Sequence, residues 1–356
     1  MSLNNSIFLS LIRMGVGHRA DALPPAVDWC VLKDLAVKHG LDAIVLDGVE
    51  KLPDGQKPPK IFLLEWIGET LQGYEYRYEL YQRAIAELAR FYNSRGYKMM
   101  VLKGYACSLD WPRPEHRPCG DIDIWLFGQQ KKADKLLENE KGIEIDDGHE
   151  HHTVFYWGDF MVENHYDFIN VYHRKSSPKL EKLFKELGKD DSHLVEVCGE
   201  RVFMPSPNLS ALFLLRHSMQ HLVGAELTLR QLLDWAFFVE KHGKDVDWDW
   251  LMKVLNEFGM EPAFNIFNTI CIEDLGFDAN LFPMGEINKE IKKRVLNDIL
   301  SPEFAGVTPA GLLPRVLFKY NRWKANGWKN ELCFKESMWS AFWSSAWGHI
   351  LKPSSI

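Results

Sequence analysis

Met99 to Phe127 reads MMVLKGYACSLDWPRPEHRPCGDIDIWLF, and its two apolar runs decide the fold. Met99 to Leu102 is apolar without a break, the pattern of a strand covered on both faces. Gly104 follows Lys103 and lets the backbone turn tightly and approach a ligand closely. After an intervening segment, Arg117 and Gly120 lead into Asp121-Ile122-Asp123-Ile124-Trp125, where acids and apolar residues alternate. At the strand period of two, both carboxylates fall on one face, roughly 6–7 Å apart along the strand.

Two carboxylates side by side repel, and a divalent cation between them removes the repulsion. Magnesium prefers a few carboxylates plus substrate phosphate oxygens to an all-protein cage. Two such ions clamp the attacking and leaving oxygens of a phosphoryl or nucleotidyl displacement. A lone D-x-D is also compatible with an acidic strand end facing solvent, because short motifs match by chance.

A second acid-bearing strand follows. Thr153 to Trp157 reads as a strand, Gly158-Asp159 as a turn, and Phe160 to Asp167 as the returning strand of a hairpin. Val162 and Asn164 take one face of the returning strand, Glu163 and His165 the other. Glu163 is thereby placed as a third carboxylate, in a strand expected to pair antiparallel within the same sheet.

Leu102-Lys103-Gly104, Arg117, Gly120-Asp121-Ile122-Asp123 and the downstream Glu163-x-His165 resemble the uncharacterised nucleotidyltransferase family often found in bacterial genomes. That family lies within the nucleotidyltransferase superfamily related to DNA polymerase beta. Its members have a glycine turn, then a D-x-D strand, and a third acid on a later strand. The helical Arg230-to-Asp234 spacing and the later Asp247-Trp248 are similar to the family as well. One departure stands out: the superfamily usually has Gly-Gly or Gly-Ser at the turn, and this chain has Gly104-Tyr105. Without a Ser hydroxyl, Lys103 and backbone N–H groups would hold the phosphate.

The resemblance implies an α+β fold, with a mixed β-sheet core flanked by N- and C-terminal helical regions. It implies transfer of a nucleoside monophosphate from a nucleoside triphosphate, ATP foremost, to an unidentified acceptor with release of pyrophosphate. Asp121, Asp123 and Glu163 would be catalytic and hold Mg²⁺ or Mn²⁺. Lys103, Gly104, Arg117 and Gly120 would bind the nucleotide, and His151, His152, His165 and His217 would support the site. An inactive protein that keeps the fold and binds a nucleotide or a partner is the alternative. A third reading is a zinc-dependent hydrolase, since His149, His151, His152 and His165 with Glu163 offer ordinary zinc ligands, although their spacing matches no strong zinc signature. The same histidines also read as polar side chains around a hairpin, or as groups that contact phosphate or orient Glu163. Arg117 reads equally as a fork for phosphate oxygens and as the structural partner of a nearby carboxylate.

Composition narrows the partners. The chain has 356 residues, a net charge of −7 and a pI near 6, with no Lys/Arg block to mark a nucleic-acid binder. Its six cysteines include no CxxC, so neither a disulfide framework nor a zinc ribbon is expected, and a reducing cytoplasm fits. No signal peptide and no bilayer-spanning stretch is read.

Three stretches are expected: a helical region over 1–96, the α/β core over 97–204, and a helical region over 205–356. In the first, Asp28 caps a helix that ends at His39-Gly40, and a long helix runs from about Lys60 to Ser94. Its tyrosines suit the edge of a core better than a stacking platform. In the core, Pro112, Pro114 and Pro118 hold Arg113 to Arg117 extended, and Leu194 to Met204 makes a last strand. Pro207 opens the third stretch, where His217 and His221 share a helix face as a buried polar pair closing over the active site. The C-terminal Trp339, Trp343 and Trp347 form one helical stripe, expected to pack on the bundle and otherwise to rest on a membrane surface.

Overall fold

A computed structural model describes residues 2–336, apart from 21, 25, 173, 225–226, 303–308 and 310. The tryptophan stripe expected at 339–347 lies outside the described residues. Four helices come first: α1 (Leu3–Gly15), α2 (Trp29–His39), α3 (Asp42–Glu50) and α4 (Lys60–Thr70). Asp28 caps α2 by accepting from the Val31 N–H, and Gly40 ends it in the left-handed conformation. The third helix was not expected from sequence. It packs against α1 through two glycines, with a Cβ at Gly48 falling 2.1 Å from the Leu11 carbonyl oxygen.

The expected long helix exists, but a π-helical segment at Leu71–Tyr76 separates α4 from α5 (Arg77–Asn93). The sheet region follows. It consists of β1 (Met100–Val101), α6 (Tyr105–Ser108), β2 (Ile122–Trp125), α7 (Gln130–Lys141), β3 (His152–Trp157), β4 (Phe160–His165), α8 (Ser177–Leu187), β5 (Leu194–Val197) and β6 (Glu200–Phe203). The strands form one mixed sheet in the order β3-β4-β2-β1-β6-β5.

Two expectations change here. The single strand expected over 194–204 is a hairpin, because Cys198 and Gly199 both take positive φ and turn the chain back. The segment expected to be extended at 113–117 contains a 3-10 turn at Pro114–His116.

One sheet face is the core. Val101, Ile122, Ile124, Phe155 and Val162 meet Ile85, Leu88 and Tyr92 of α5 and Ala133 and Leu137 of α7. The opposite face, by strand alternation, carries Asp123, Trp125, Glu163 and His165.

The remaining helices are α9 (Pro207–Val223), α10 (Leu229–His242), α11 (Trp248–Glu257), α12 (Glu261–Glu273), α13 (Lys289–Leu300), α14 (Leu312–Ala325) and α15 (Gly327–Phe334). Asp247 caps α11 through the Trp250 N–H.

The described residues form two compact units, one drawn from residues 2–70 and 214–336 and the other from 71–213. Residues 71–96 group with the sheet, since α5 buries its apolar face in the sheet's core. The first helices and the last group together: Arg13 Nε donates to the Asp274 carbonyl at 2.8 Å, and the Leu229 N–H donates to His39 Nδ1 at 3.2 Å.

Candidate active site

The turn after β1 has a conformation only glycine tolerates. Gly104 sits at φ +63°, and a Cβ there would lie 2.7 Å from the Tyr81 hydroxyl oxygen. That hydroxyl is engaged, donating to the Asp121 carbonyl at 2.7 Å. Tyr81 on α5 thus ties the glycine turn to the start of the D-x-D strand. Tyr105, the departure from Gly or Ser, turns its ring into the core, 5.9 Å from the Tyr78 ring. Its hydroxyl accepts a hydrogen bond from Gln82.

Asp123 is wholly buried on β2. Its Oδ1 takes Lys103 Nζ at 3.0 Å and His165 Nε2 at 3.1 Å. Its Oδ2 is buried without a hydrogen-bond partner. Glu163 is its register neighbour on β4. β4 is antiparallel to β3, as expected for the hairpin, and parallel to β2. Glu163 Oε2 lies 3.5 Å from His165 Nε2, and Oε1 lies 3.8 Å from His152 Nε2.

The charges of the site act on one another. Burial pushes the His165 imidazole down, but its hydrogen bonds to Asp123 and Glu163 prevail and carry it up to about 9. Glu163 is pushed up by burial and pulled further down by His165 and Lys103, leaving it well below the usual carboxylate range. Burial likewise opposes the Lys103 ammonium, yet Asp123, Asp121 and Glu163 raise it above its ordinary value. Burial lowers His152 to about 4, so that ring is neutral near pH 7.

The other expected residues divide. Asp121 is half-buried at the strand start; its charge acts on Lys103, but it is absent from the tight grouping of Asp123, Glu163 and His165. Arg117 is buried in the segment leading to Asp121 and donates to the Pro118 carbonyl at 3.1 Å. That segment is held by Glu75 of the π-helical stretch, which takes Arg113 at 3.0 Å and His116 at 3.2 Å. Gly120 is exposed, lacks positive φ and has open space around its Cα. His151 and His152 stand beside His165, with ring centroids 5.5 and 5.3 Å from it. His217 on α9 is half-buried rather than buried, and its ring nitrogen lies 3.0 Å from that of His221.

Three supporting groups carried no sequence signal. The Asp167 carbonyl lies 3.1 Å from His165 Nδ1. Glu181 on α8 accepts from the Phe168 and Ile169 N–H groups at 3.0 Å, fixing the segment that presents that carbonyl. Tyr81 is the third. A cavity of about 550 Å³, lined by Gln130, Lys131, Lys135, Asp147, Thr153 and Tyr166, includes none of the acids of this grouping.

Cation ligands are present. One ligand atom each from Asp123, Glu163 and His165 lie within 4.8 Å of one another, as do one each from His151, His152 and His165. The buried, unpartnered Asp123 Oδ2 fits a divalent ion, since a buried carboxylate oxygen left without a partner is costly. An acid pair on adjacent strands with a lysine at the preceding turn suits a substrate that is itself a polyanion.

A structure of an antigenic nucleotidyltransferase-like protein from Paracoccidioides brasiliensis is similar at 15% identity and a TM-score of 0.32, over 45% of this chain and 75% of that one. No curated protein sequence matches. The model of a family described as uncharacterised nucleotidyltransferase matches residues 25–273, which takes in every strand of the sheet. By that match the chain belongs to the uncharacterised nucleotidyltransferase family.

Proposed function

We propose that this chain transfers a nucleoside monophosphate from a nucleoside triphosphate, with ATP the expected donor, to an acceptor hydroxyl on a small molecule, sugar or protein. The observation that carries the reading is the register pair Asp123–Glu163 on neighbouring strands, with Lys103 on one oxygen of the buried Asp123 and its other oxygen unpartnered. Family membership supports a nucleotide substrate.

A divalent cation, Mg²⁺ or Mn²⁺, would be held by Asp123 and Glu163, with Asp121 at the strand start. Bound there, it would neutralise phosphate charge. Lys103 and Arg117 would place the triphosphate oxygens, and the Gly104 turn would let the backbone approach them. The acceptor oxygen attacks the α-phosphorus, the α–β P–O bond breaks, and pyrophosphate leaves. Glu163 would accept the acceptor's proton. Positioning and charge neutralisation supply most of the effect, and no covalent intermediate is needed. A cytoplasmic location belongs to the same proposal; no helix among the described residues is long and apolar enough to cross a membrane.

A side chain at Tyr105 that filled the turn would favour the non-catalytic reading, but its ring packs in the core. The grouping of His151, His152 and His165 supports a zinc-dependent hydrolase as the second reading. Pyrophosphate release from ATP, assayed against a panel of acceptors, separates the two. Release lost in Asp123→Asn supports transfer, whereas ATP-independent hydrolysis with stoichiometric zinc supports the second reading.

A further inference from the structure

Two groupings of metal-capable side chains share a single residue. Asp123, Glu163 and His165 form one, and His151, His152 and His165 form the other. The orientation of His165 joins them. Its Nδ1 lies 3.1 Å from the Asp167 carbonyl, so Nδ1 is a donor. Its Nε2 is thereby aimed at Asp123 Oδ1, 3.1 Å away, and at Glu163 Oε2, 3.5 Å away. A ring with one N–H tied to a backbone carbonyl and the other nitrogen facing two carboxylates is built as metal-binding histidines are, with the outer hydrogen bond fixing the tautomer.

The neighbours complete the set. Lys103 engages Asp123 Oδ1, which leaves the buried Oδ2 without a partner. His152 brings a second imidazole, with Nε2 3.8 Å from Glu163 Oε1 and a buried Nδ1 that lacks a partner.

We propose that the cation site of this chain is a mixed oxygen–nitrogen centre, formed by Asp123, Glu163 and His165 with His152 beside them, which selects a first-row transition ion such as Mn²⁺ over Mg²⁺. This rests on the nucleotidyl-transfer reading for the ion's place and sharpens its chemistry. Magnesium is a hard ion that keeps its waters and takes oxygen ligands, so an imidazole is a poor exchange for water on it. Imidazole is an ordinary ligand for later first-row ions, whose affinities rise from Mn²⁺ onward. The histidines therefore penalise the more abundant ion without a change in the carboxylates.

The test is the full chain, freed of metal by a chelator and titrated calorimetrically with Mn²⁺ and with Mg²⁺, with and without ATP. Pulsed electron paramagnetic resonance of the Mn²⁺ complex then reads ¹⁴N coupling. Mn²⁺ is expected to bind at least about tenfold more tightly than Mg²⁺ and to show imidazole coupling. His165→Gln should abolish or halve that coupling and bring the two affinities within about threefold of each other. His193→Gln, which pairs with Asp190 and lies outside both groupings, should change neither. If His165→Gln fails to fold, the wild-type coupling decides. Equal affinities, or Mn²⁺ bound without nitrogen coupling, overturn the proposal while leaving nucleotidyl transfer intact. Binding of neither ion, with or without ATP, overturns both.

Discussion

Asp123 and Glu163 stand side by side in register on parallel strands β2 and β4, and the imidazole of His165 bridges their carboxylates. Adjacent parallel strands project such a pair onto the same face, so the two acids cannot avoid each other. Lys103 and His165 balance the pair. Asp123→Asn is expected to remove the oxygen charge on which both cations depend. Pyrophosphate release should fall by roughly 100-fold or more, while far-UV circular dichroism stays unchanged. Full release in the variant would remove Asp123 from the reaction.

Gly104 and Tyr81 form a mutual constraint. Gly104→Ala forces a side chain into a positive φ and against the Tyr81 hydroxyl. A loss of about 2 kcal/mol is expected in urea unfolding. Tyr81→Phe relieves the contact but forfeits the hydrogen bond to the Asp121 carbonyl, at a cost of about 1 kcal/mol. The double variant should lose less than the sum of the two, because the clash is counted only once; strict additivity would show that the hydroxyl does not define the turn.

The packing of α1 on α3 depends on two glycines. A Cβ at Gly48 would lie 2.1 Å from the Leu11 carbonyl oxygen, and one at Gly15 would lie 2.1 Å from that of Ile44. Backbone atoms cannot swing aside as a side chain would. Gly48→Ala is expected to destabilise by about 3 kcal/mol. Gly55→Ala, where nothing lies within 4 Å, should stay within about 0.5 kcal/mol of wild type. Thermal unfolding of the pair separates close packing from a general effect of alanine.

His39 gives a pH dependence of known sign. Burial lowers its imidazole to about 4, with Lys38 adding to the effect. The folded ring is neutral above that pH, while the unfolded ring takes a proton near 6.5. Between those values the unfolded chain binds more protons. The share of stability linked to His39 is therefore constant above pH 6.5 and is lost as pH falls toward 4, up to about 3 kcal/mol. The stability difference between wild type and His39→Gln, followed by urea unfolding at pH 7, 6 and 5, should narrow in that direction. A difference independent of pH would mean that the ring is protonated or exposed in the folded state.

Helix periodicity, the Asp28 and Gly40 caps, the hairpin at Gly158-Asp159 and the alternation that sets Glu163 and His165 on one strand face were all legible in the sequence. Each is decided within a few residues by backbone sterics and side-chain spacing. The family was legible too, since its motifs are local. The pairing of β4 with β2 was not: whether a strand runs parallel or antiparallel to one about 40 residues earlier depends on how the intervening chain crosses, which periodicity does not encode. The same holds for Tyr81 and Glu181. A hydroxyl that holds a turn, or a carboxylate that holds a loop, acts across a distance in sequence and looks like any other helical residue. Thus the sequence by itself determined which residue types are available for the chemistry, and on which strands. The tertiary structure decided that Asp123, rather than Asp121, closes with Glu163, His165 and Lys103 into one group, because only the register of β2 on β4 and the turn after β1 bring those four side chains together.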